Sequence, residues 1–443
     1  MQRGAGRLVT AGLLAALVAG LPGCTDDGPL PGTSGPDLPG GSAPLTQATP
    51  ESCGACHPQH HEEWQRSMHA YAGRDPVWFA LNAAGQEDTG GGLGEFCVFC
   101  HAPAASLAGQ TEPLVPGQAP VEVGHGVHCG FCHTVSSFDG ISNQEHRFVM
   151  AEDDVVYGTI REPIDTPAHR SELRPELRTS EFCGTCHELV NDGDTAIETT
   201  YTEWVDSAFT AMGIGCQDCH MPTYRGRATP DGPERTLHRH TFVGVDVAME
   251  DVPERAQQIR DVQALLESSA RLTLLDSSAG DSLRIDARVE NLGAGHALPS
   301  GPTMERQLWI ELRVTDGDGT ELFVSGDLDA NGDLRDHHSE IDQGDTQLAL
   351  FNTRLIDEHG DETPFMWRAV QVESRLIRAF GQRTVRYGIE VPPDVRWPLT
   401  VEATLRFRAI PPYTLRELAL DHLAERVPVF EMTRATLNVP GTR

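Results

Sequence analysis

The chain has 443 residues, with 65 acidic side chains against 34 basic ones and a formal net charge of −31. It contains no lysine, so every fixed cation is an arginine. A surface of this charge repels nucleic acid and anionic lipid and favours cationic partners, although solubility alone would also account for it. At about 100–200 residues per domain, the length predicts two or three domains.

The first residues are typical of an export signal, which we assign to residues 1–24. Arg3 and Arg7 precede an apolar run over residues 8–18, which is too short to span a bilayer. No later stretch has 18 apolar residues in a row, so the sequence predicts no other membrane span.

The signal ends in Leu-Pro-Gly-Cys24, which resembles the lipobox of bacterial lipoproteins. That resemblance implies cleavage before Cys24 and lipidation of its side chain; an ordinary signal peptide with a nearby cleavage site is the alternative. Residues 25–50 are rich in Pro, Gly, Ser and Thr and predict a flexible linker. We therefore expect an exported chain, lipid-anchored in the periplasm or at the outer membrane or cell surface.

The cysteines then form a repeated pattern, because ten of the 11 fall into Cys-x-x-Cys-His motifs. The five motifs are Cys53-Gly-Ala-Cys56-His57, Cys97-Val-Phe-Cys100-His101, Cys129-Gly-Phe-Cys132-His133, Cys183-Gly-Thr-Cys186-His187 and Cys216-Gln-Asp-Cys219-His220. Two thiols at this spacing add to the vinyl groups of one haem, and the following imidazole is held beneath the iron. The sequence predicts five covalent haem c groups.

Other uses of paired cysteines fit less well. A zinc site needs four ligands, and one Cys-x-x-Cys with an adjacent His makes a poor tetrahedron. A thioredoxin-like redox pair would be single and would not need the His. Disulfides within each pair would be strained and would also leave the His unexplained.

A six-coordinate haem iron needs a second ligand, and 14 of the 19 histidines lie outside the motif positions. Four of them are candidates: His69, which lies twelve residues after His57, and His169, His240 and His296, each of which stands alone beside a turn or an apolar residue, as haem-pocket ligands do. A single histidine of this kind is usually an ordinary polar or surface residue, but five irons that need partners favour ligation. We predict these four as distal ligands.

Spacing from the first motif separates His69 from its neighbours. His60 and His61 follow His57 by three and four residues, so on a helix they lie on the same side of the haem as His57. If residues 57–70 form one helix, His69 lies about 18 Å along its axis. It would then serve the haem of another motif.

The fifth distal ligand is the least determined. His125 is our prediction, with His128 and His146 as alternatives, and His128 is hampered because it directly precedes Cys129. Three methionines near motifs are further candidates: Met68, Met212 and Met221. The last option is an iron with no second ligand, which would permit catalysis.

Several blocks resemble the bacterial multihaem cytochromes of the cytochrome c-554 type. These blocks are residues 53–70, 180–188, 201–204, 215–222 and 295–299. The resemblance implies closely packed haems, mostly with two His ligands, and electron transfer; it also implies that His69 ligates a haem other than its own. Pentahaem nitrite reductases usually have lysine at the catalytic motif, and a chain without lysine departs from that pattern.

The second half of the chain lacks cysteine and changes periodicity. Residues 251–270 predict a connecting helix. Apolar residues then alternate with polar ones over 283–289, 308–314 and 401–407, which predicts β-strands. We predict an α+β multidomain protein in which a mostly helical, loop-rich multihaem domain (51–250) is followed by an antiparallel β-sandwich domain (271–443). The loop that carries His296 is expected to reach into the haem domain.

Two functions remain open at this stage. The first is electron transfer between extracytoplasmic redox proteins, some of them cationic. The second is reduction or oxidation of a small nitrogen or sulfur compound at one open iron, where Tyr157, Arg161 and Arg225 are candidate neighbours. A structural role in a larger redox assembly is a third. The acidic stretch 327–340, with His337 and His338, is either a cation site, for example for Ca²⁺, or a solvated loop.

Overall fold

The computed structural model describes residues 45, 48–143, 147–151, 154–278 and 283–441. The predicted signal, the lipidation candidate Cys24, nearly all of the linker and His146 lie outside these described residues. The described residues all fall in one compact unit, residues 38–443. Within them, no helix is both long and apolar enough to cross a bilayer.

The part that carries the motifs is a series of short helices joined by loops. They are α1 (Pro50–Gly54), α2 (Pro58–Gln65), α3 (Met68–Tyr71), α4 (Pro76–Asp88), α5 (Val98–His101), α6 (Pro103–Leu107), α7 (Val121–Gly124), α8 (Cys129–Cys132), α9 (Ser180–Gly184), α10 (Thr200–Val205), α11 (Ala208–Ala211) and α12 (Cys216–His220). Each motif overlaps or adjoins one helical turn. Because residues three apart lie on one face of a helix, that turn puts both thiols of a motif side by side.

The single helix expected over residues 57–70 is wrong, since the chain forms α2 and α3 instead. Ser67 separates them. Its hydroxyl donates to the Trp64 carbonyl (2.7 Å) and accepts from the Ala70 N–H (3.3 Å). The serine therefore caps α3 and turns the chain, as such residues do at helix starts.

Short strand pairs connect the helices. They are β1 (Val135–Asp139) with β2 (Arg147–Met150), β3 (Val155–Gly158) with β4 (Arg170–Leu173), β5 (Leu189–Val190) with β6 (Ala196–Glu198), and β7 (Thr223–Arg227) with β8 (Glu234–His238). The β3–β4 pair is parallel and the other three are antiparallel.

A longer helix, α13 (Arg255–Ser269), lies within the range predicted for the connecting helix. Its apolar face, which includes Val262 and Leu266, packs into the core of the β-region that follows.

Two antiparallel sheets enclose that core. The first consists of β9 (Ala270–Asp276), β10 (Leu283–Asn291) and β17 (Gln382–Ile389), and the second of β11 (Gln307–Thr315), β12 (Glu321–Ser325), β13 (Ala349–Phe351), β18 (Leu399–Arg408) and β19 (Phe430–Val439). The predicted alternation is clearest in β10, where Leu283, Ile285, Ala287 and Val289 are all buried. Burial of these apolar side chains drives the two sheets together. The predicted α+β class is confirmed.

A third sheet and a short helix lie beside this sandwich. The sheet has the order β15–β14–β16, from β14 (Thr353–Ile356), β15 (Glu362–Thr363) and β16 (Gln371–Ser374), and the helix is α14 (Pro412–Glu417). Leu415 of α14 packs with Val77 and Leu81 of α4 in one apolar cluster. The β-region and the motif region therefore share a hydrophobic core as well as a boundary.

Candidate haem-binding site

One continuous cavity of about 2060 Å³ runs through the motif region and borders the β-region. Pockets for small ligands usually measure about 300–1,000 Å³, so this cavity has room for several large groups. Residues of all five motifs line it. We call the motifs site 1 (Cys53, Cys56, His57), site 2 (Cys97, Cys100, His101), site 3 (Cys129, Cys132, His133), site 4 (Cys183, Cys186, His187) and site 5 (Cys216, Cys219, His220).

The motif imidazoles are oriented through Nδ1. In four sites Nδ1–H donates to a backbone carbonyl: His57 to Ala228 (2.8 Å), His101 to Ala72 (3.3 Å), His133 to Tyr157 (2.7 Å) and His220 to Val243 (2.6 Å). A carbonyl only accepts, so Nδ1 must carry the proton. The lone pair of Nε2 is then free to bind a metal, as is usual for histidine ligands.

Four motif imidazoles each face a second histidine. The ring centroids are 6.4 Å apart for His57 and His169, 6.3 Å for His187 and His69, 6.1 Å for His133 and His240, and 6.4 Å for His220 and His296. The ring planes in these pairs differ by 15–34°. The second histidine is in every case one that the sequence singled out.

These separations fit two imidazoles on one iron. A metal–imidazole bond of about 2.0 Å, added to about 1.1 Å from ring nitrogen to ring centre, places two opposed rings about 6.2 Å apart. Three of the facing histidines also have Nδ1 within 3.2 Å of a backbone carbonyl. The carbonyl is that of Arg170 for His169, that of His238 for His240 and that of Ala297 for His296. Paired thiols, paired imidazoles and a large cavity together fit covalently attached haem.

Burial favours the neutral form, which a metal requires, in four of these imidazoles. It lowers the pKa of His69 and His240 to about 3, and that of His101 and His296 to about 4. Desolvation disfavours the protonated imidazole, and only the unprotonated nitrogen can bind a metal.

Site 2 differs, because no described histidine faces its imidazole. The ring that lies parallel to His101 is the indole of Trp78, with centroids 5.2 Å apart and planes within 7°. Trp78 is 4% exposed and its indole N–H has no hydrogen-bond partner. Nothing in the sequence marked Trp78 as the neighbour of a motif imidazole.

A buried group of charges borders the same cavity. Arg306 binds both carboxylate oxygens of Asp246 at 2.7 Å. Beside it, Glu305 is 7% exposed and its Oε1 has no partner. Burial raises the pKa of Glu305 to about 7 and that of Asp75 to about 6. The burial of these charges could not be recognised in the sequence, because charged residues occur throughout an acidic chain.

We expect Glu305→Gln to stabilise the protein at pH 8 but hardly at pH 5. The unfolded carboxyl ionises near pH 4.5 and the buried one near pH 7, so rising pH favours unfolding across this interval. Removing the charge should then gain roughly 2–3 kcal/mol at pH 8. Guanidinium unfolding followed by circular dichroism measures the gain.

The exposed Glu87 provides the matched control. Glu87→Gln should leave the free energy of unfolding unchanged at both pH values. An equal gain from Glu305→Gln at pH 5 and pH 8 would contradict the assignment of a raised pKa.

Site 4 also differs, in the partner of its motif imidazole. Nδ1 of His187 lies 3.4 Å from the carboxylate of Glu198, whose side chain is 12% exposed. Each of the other four motif imidazoles uses a backbone carbonyl. Site 4 is thus the one site, among the described residues, where a full negative charge meets the motif imidazole.

The structure contains an internal repeat that the sequence analysis missed. Glu63-Trp64 precedes Ser67, and Glu203-Trp204 precedes Ser207. Both indoles donate to a carbonyl two residues before a motif, those of Val127 (2.8 Å) and Ile214 (2.9 Å). Both serines donate to the tryptophan carbonyl at 2.7 Å.

The glutamates of this repeat hold the loops of two facing histidines. Glu63, which is 1% exposed, accepts from the backbone N–H of His240 (2.9 Å). Glu203 accepts from the N–H of Ala297 (3.1 Å), next to His296. The Glu-Trp-x-x-Ser pattern, which occurs twice in the sequence, could have identified both glutamates as candidates.

The remaining candidates lie elsewhere. His125 packs edge-on to His128 (5.6 Å) and faces no motif imidazole, and His60 contacts His240 (4.8 Å). Met68 lies 3.9 Å from the amide of Gln258, and Met212 is exposed. The other candidates from the sequence line the cavity, and among the described residues none of them contacts His101, the imidazole without a facing histidine. They are Met221, Tyr157, Arg161 and Arg225.

Comparison with known proteins agrees with this chemistry. Residues 52–134 match the family model for cytochrome c554 and c-prime. The fold is similar to a solved penta-heme cytochrome c552 from Thermochromatium tepidum, with a TM-score of 0.65 and 21% identity over 90% of this chain and all of that chain. These matches support a multihaem c-type cytochrome. No curated protein sequence matches the chain.

The findings support covalent haem c and, in general terms, a redox function. The fold match covers the β-region as well as the motif region, since it extends over 90% of the chain. The predicted resemblance to cytochromes of the c-554 type is confirmed by the family match.

Proposed function

We propose that this cytochrome transfers electrons through five covalently bound haems between extracytoplasmic redox proteins. The four imidazole pairs at 6.1–6.4 Å carry the proposal. Haem c supplies one-electron chemistry at an iron whose potential depends on its ligands and surroundings. An iron held by two imidazoles has no position for a substrate, which favours electron transfer over catalysis at these four sites.

Contacts between motifs suggest the order of the sites. The thiol of Cys53 interacts with that of Cys129, which joins site 1 to site 3. Cys132 interacts electrostatically with Cys186, which joins site 3 to site 4. Site 4 also adjoins site 2 through Cys100.

Site 5 completes the arrangement, since the thiols of Cys183 and Cys216 likewise interact. We therefore propose a path from site 1 through site 3 to site 4, with branches to sites 2 and 5. Site 4 is the branch point.

The chain's own residues perform three tasks in this proposal. Carbonyls at Ala228, Tyr157 and Val243 fix the motif imidazoles through Nδ1. Glu63 and Glu203 hold the loops that bear facing histidines. Apolar walls limit the water that reaches the irons, which lowers the local dielectric constant and helps to set each potential.

We further propose that the chain is exported and held at a membrane surface by lipid on Cys24. The short apolar run and lipobox-like sequence support this, and residues 25–50 have the composition of a tether. A net charge of −31 suits cationic redox partners, because opposite charges accelerate encounter.

A second function has support at site 2. In the described part of the chain, Trp78 rather than a histidine lies parallel to His101, so the iron there would have one imidazole from these residues and an open face. Arg306 and Glu305, which line the same cavity, offer a cation and a proton-carrying acid. These groups suit reduction of a small anionic nitrogen or sulfur compound.

The spin states of the purified oxidised protein test both functions. Mass spectrometry should give five haems per chain, and electron paramagnetic resonance should give four low-spin irons with paired imidazoles. A fifth, high-spin iron that binds cyanide supports catalysis at site 2, whereas a low-spin fifth iron excludes it. Fewer than four low-spin irons would contradict the electron-transfer path.

A further inference from the structure

A possible metal-binding arrangement lies outside the cavity that the motifs line, in the segment between β12 and β13. One possible ligand atom from each of Asp336, His337 and His338 lies within 4.8 Å of the others. The carboxylate of Glu362, on β15, reaches both imidazoles: Oε2 is 3.0 Å from Nε2 of His337, and Oε1 is 3.8 Å from Nε2 of His338.

We propose that His337, His338 and Glu362 bind one divalent transition-metal ion, of the class of Zn²⁺. Ligands on a tetrahedral zinc ion with bonds of 2.0–2.1 Å are about 3.3 Å apart. The carboxylate lies near both imidazoles through different oxygens, since Oε2 is 3.0 Å from Nε2 of His337 and Oε1 is 3.8 Å from Nε2 of His338. A rotation of the Glu362 carboxylate would be needed to place one oxygen and both imidazole nitrogens at three corners of a tetrahedron.

Asp336 acts on this site through His338. Its carboxylate lies 3.2 Å from Nδ1 of His338, so Nδ1 carries the proton and Nε2 keeps its lone pair. The ring of Tyr413 stacks on the imidazole of His338, with ring centroids 4.0 Å apart and planes within 4°. This carboxylate–histidine–metal arrangement is the common way in which proteins orient an imidazole ligand.

The chemistry of the ligands selects the metal. Two imidazoles and one carboxylate suit zinc, copper or nickel, whereas Ca²⁺ takes six to eight oxygen ligands. Ca²⁺, which the acidic sequence left open as one alternative, is therefore the poorer candidate. Arg354 binds Oε2 of Glu362 at 2.7 Å, which leaves Oε1 for the ion.

The surrounding segment is held in place without the ion. Asp333, which is fully buried, accepts from Arg416 (2.6 Å) and from the N–H of Tyr413 (3.1 Å). Ser339, 1% exposed, donates to Asp329. A site whose ligands are ordered in advance loses less entropy on binding.

Zinc binding to the intact haem-loaded protein tests the proposal. After bound metal is removed with a chelator, Zn²⁺ is added and the excess is dialysed away, one equivalent of Zn²⁺ should remain on each wild-type chain, measured by elemental analysis. Zinc X-ray absorption should give nitrogen and oxygen neighbours with the pattern of two imidazoles. The double variant His337→Ala/His338→Ala should bind zinc at least tenfold more weakly.

His359→Ala is the matched control, since this exposed histidine lies on the neighbouring turn beside Glu358. It should bind zinc as the wild type does. Circular dichroism and the haem spectrum report whether each variant folds, and Glu362→Gln is a second, milder variant. Equal zinc binding by wild type and double variant, or none by wild type, would overturn the proposal without affecting the haem sites.

Discussion

Replacing His69 by Ala should convert one additional haem to the high-spin state while all five remain attached. His69 faces His187 at 6.3 Å, and the thioether cysteines of site 4 are untouched by the change. The iron of site 4 would then keep one imidazole. The weaker ligand field would leave more of its d electrons unpaired, which is the high-spin state. Electron paramagnetic resonance and mass spectrometry measure the two halves of this result.

His125→Ala is the control for this prediction. His125 contacts His128 and faces no motif imidazole, so its loss should leave every spin state unchanged. The sequence, in contrast, predicted His125 as the fifth distal ligand. Conversion of a haem by His125→Ala would show that His125 is a distal ligand, and no conversion by His69→Ala would contradict the pairing of His69 with His187.

Glu198→Gln should raise the midpoint potential of one haem by about 40–90 mV. The carboxylate lies 3.4 Å from Nδ1 of His187, and its charge stabilises the oxidised iron through the ligand. Glutamine can still accept a hydrogen bond, so the change removes the charge and keeps the contact. The loss of about 1–2 kcal/mol for a charged acceptor corresponds to this shift in a one-electron couple.

A potentiometric titration that resolves the haem components measures the shift. Glu188→Gln removes the same charge one residue after His187, but from a carboxylate that accepts from Thr202 instead. It should move the potentials far less. Similar shifts in the two variants would mean that Glu198 acts only through general electrostatics.

A lowered potential at site 4 would matter because of its position in the proposed path. Site 4 adjoins sites 2, 3 and 5. An electron would then spend little time at the branch point and would reside on the sites around it. The three neighbouring sites would exchange electrons through site 4 without leaving it reduced.

The sequence was informative where chemistry is local. Cys-x-x-Cys-His places two thiols and an imidazole on one turn, so each motif predicts its haem without knowledge of the fold. The alternation in β10 similarly predicts which side chains are buried, because strand periodicity is local. The α+β class followed from these two patterns.

Pairing between distant residues could not be read in the same way. His69, His169, His240 and His296 were identifiable as candidates, but which motif each one faces depends on contacts made across the whole fold. The place of Trp78 beside His101 had no signal at all. Glu198 was hidden among 65 acidic residues, and only its distance from His187 distinguishes it.

Local capping also overrode a reasonable expectation. The helix predicted over residues 57–70 was extrapolated from composition, but the Ser67 hydroxyl competes for backbone groups and breaks it. The two short helices still deliver His69 to a distant site, so the functional inference did not depend on the error.

The histidine pairs have a consequence for how this chain acquires its structure. Each pair joins positions that are far apart in sequence: 57 with 169, 69 with 187, 133 with 240 and 220 with 296. An iron between the rings would close a long loop, and such long-range closures are slow to form and strongly stabilising once made. A chain that emerges from its N-terminus would present His69 well before the cysteines of site 4. Under the proposed ligation, maturation would resemble the closing of successive cross-links, and the last of them, at His296, would lock the β-region onto the haem-bearing half.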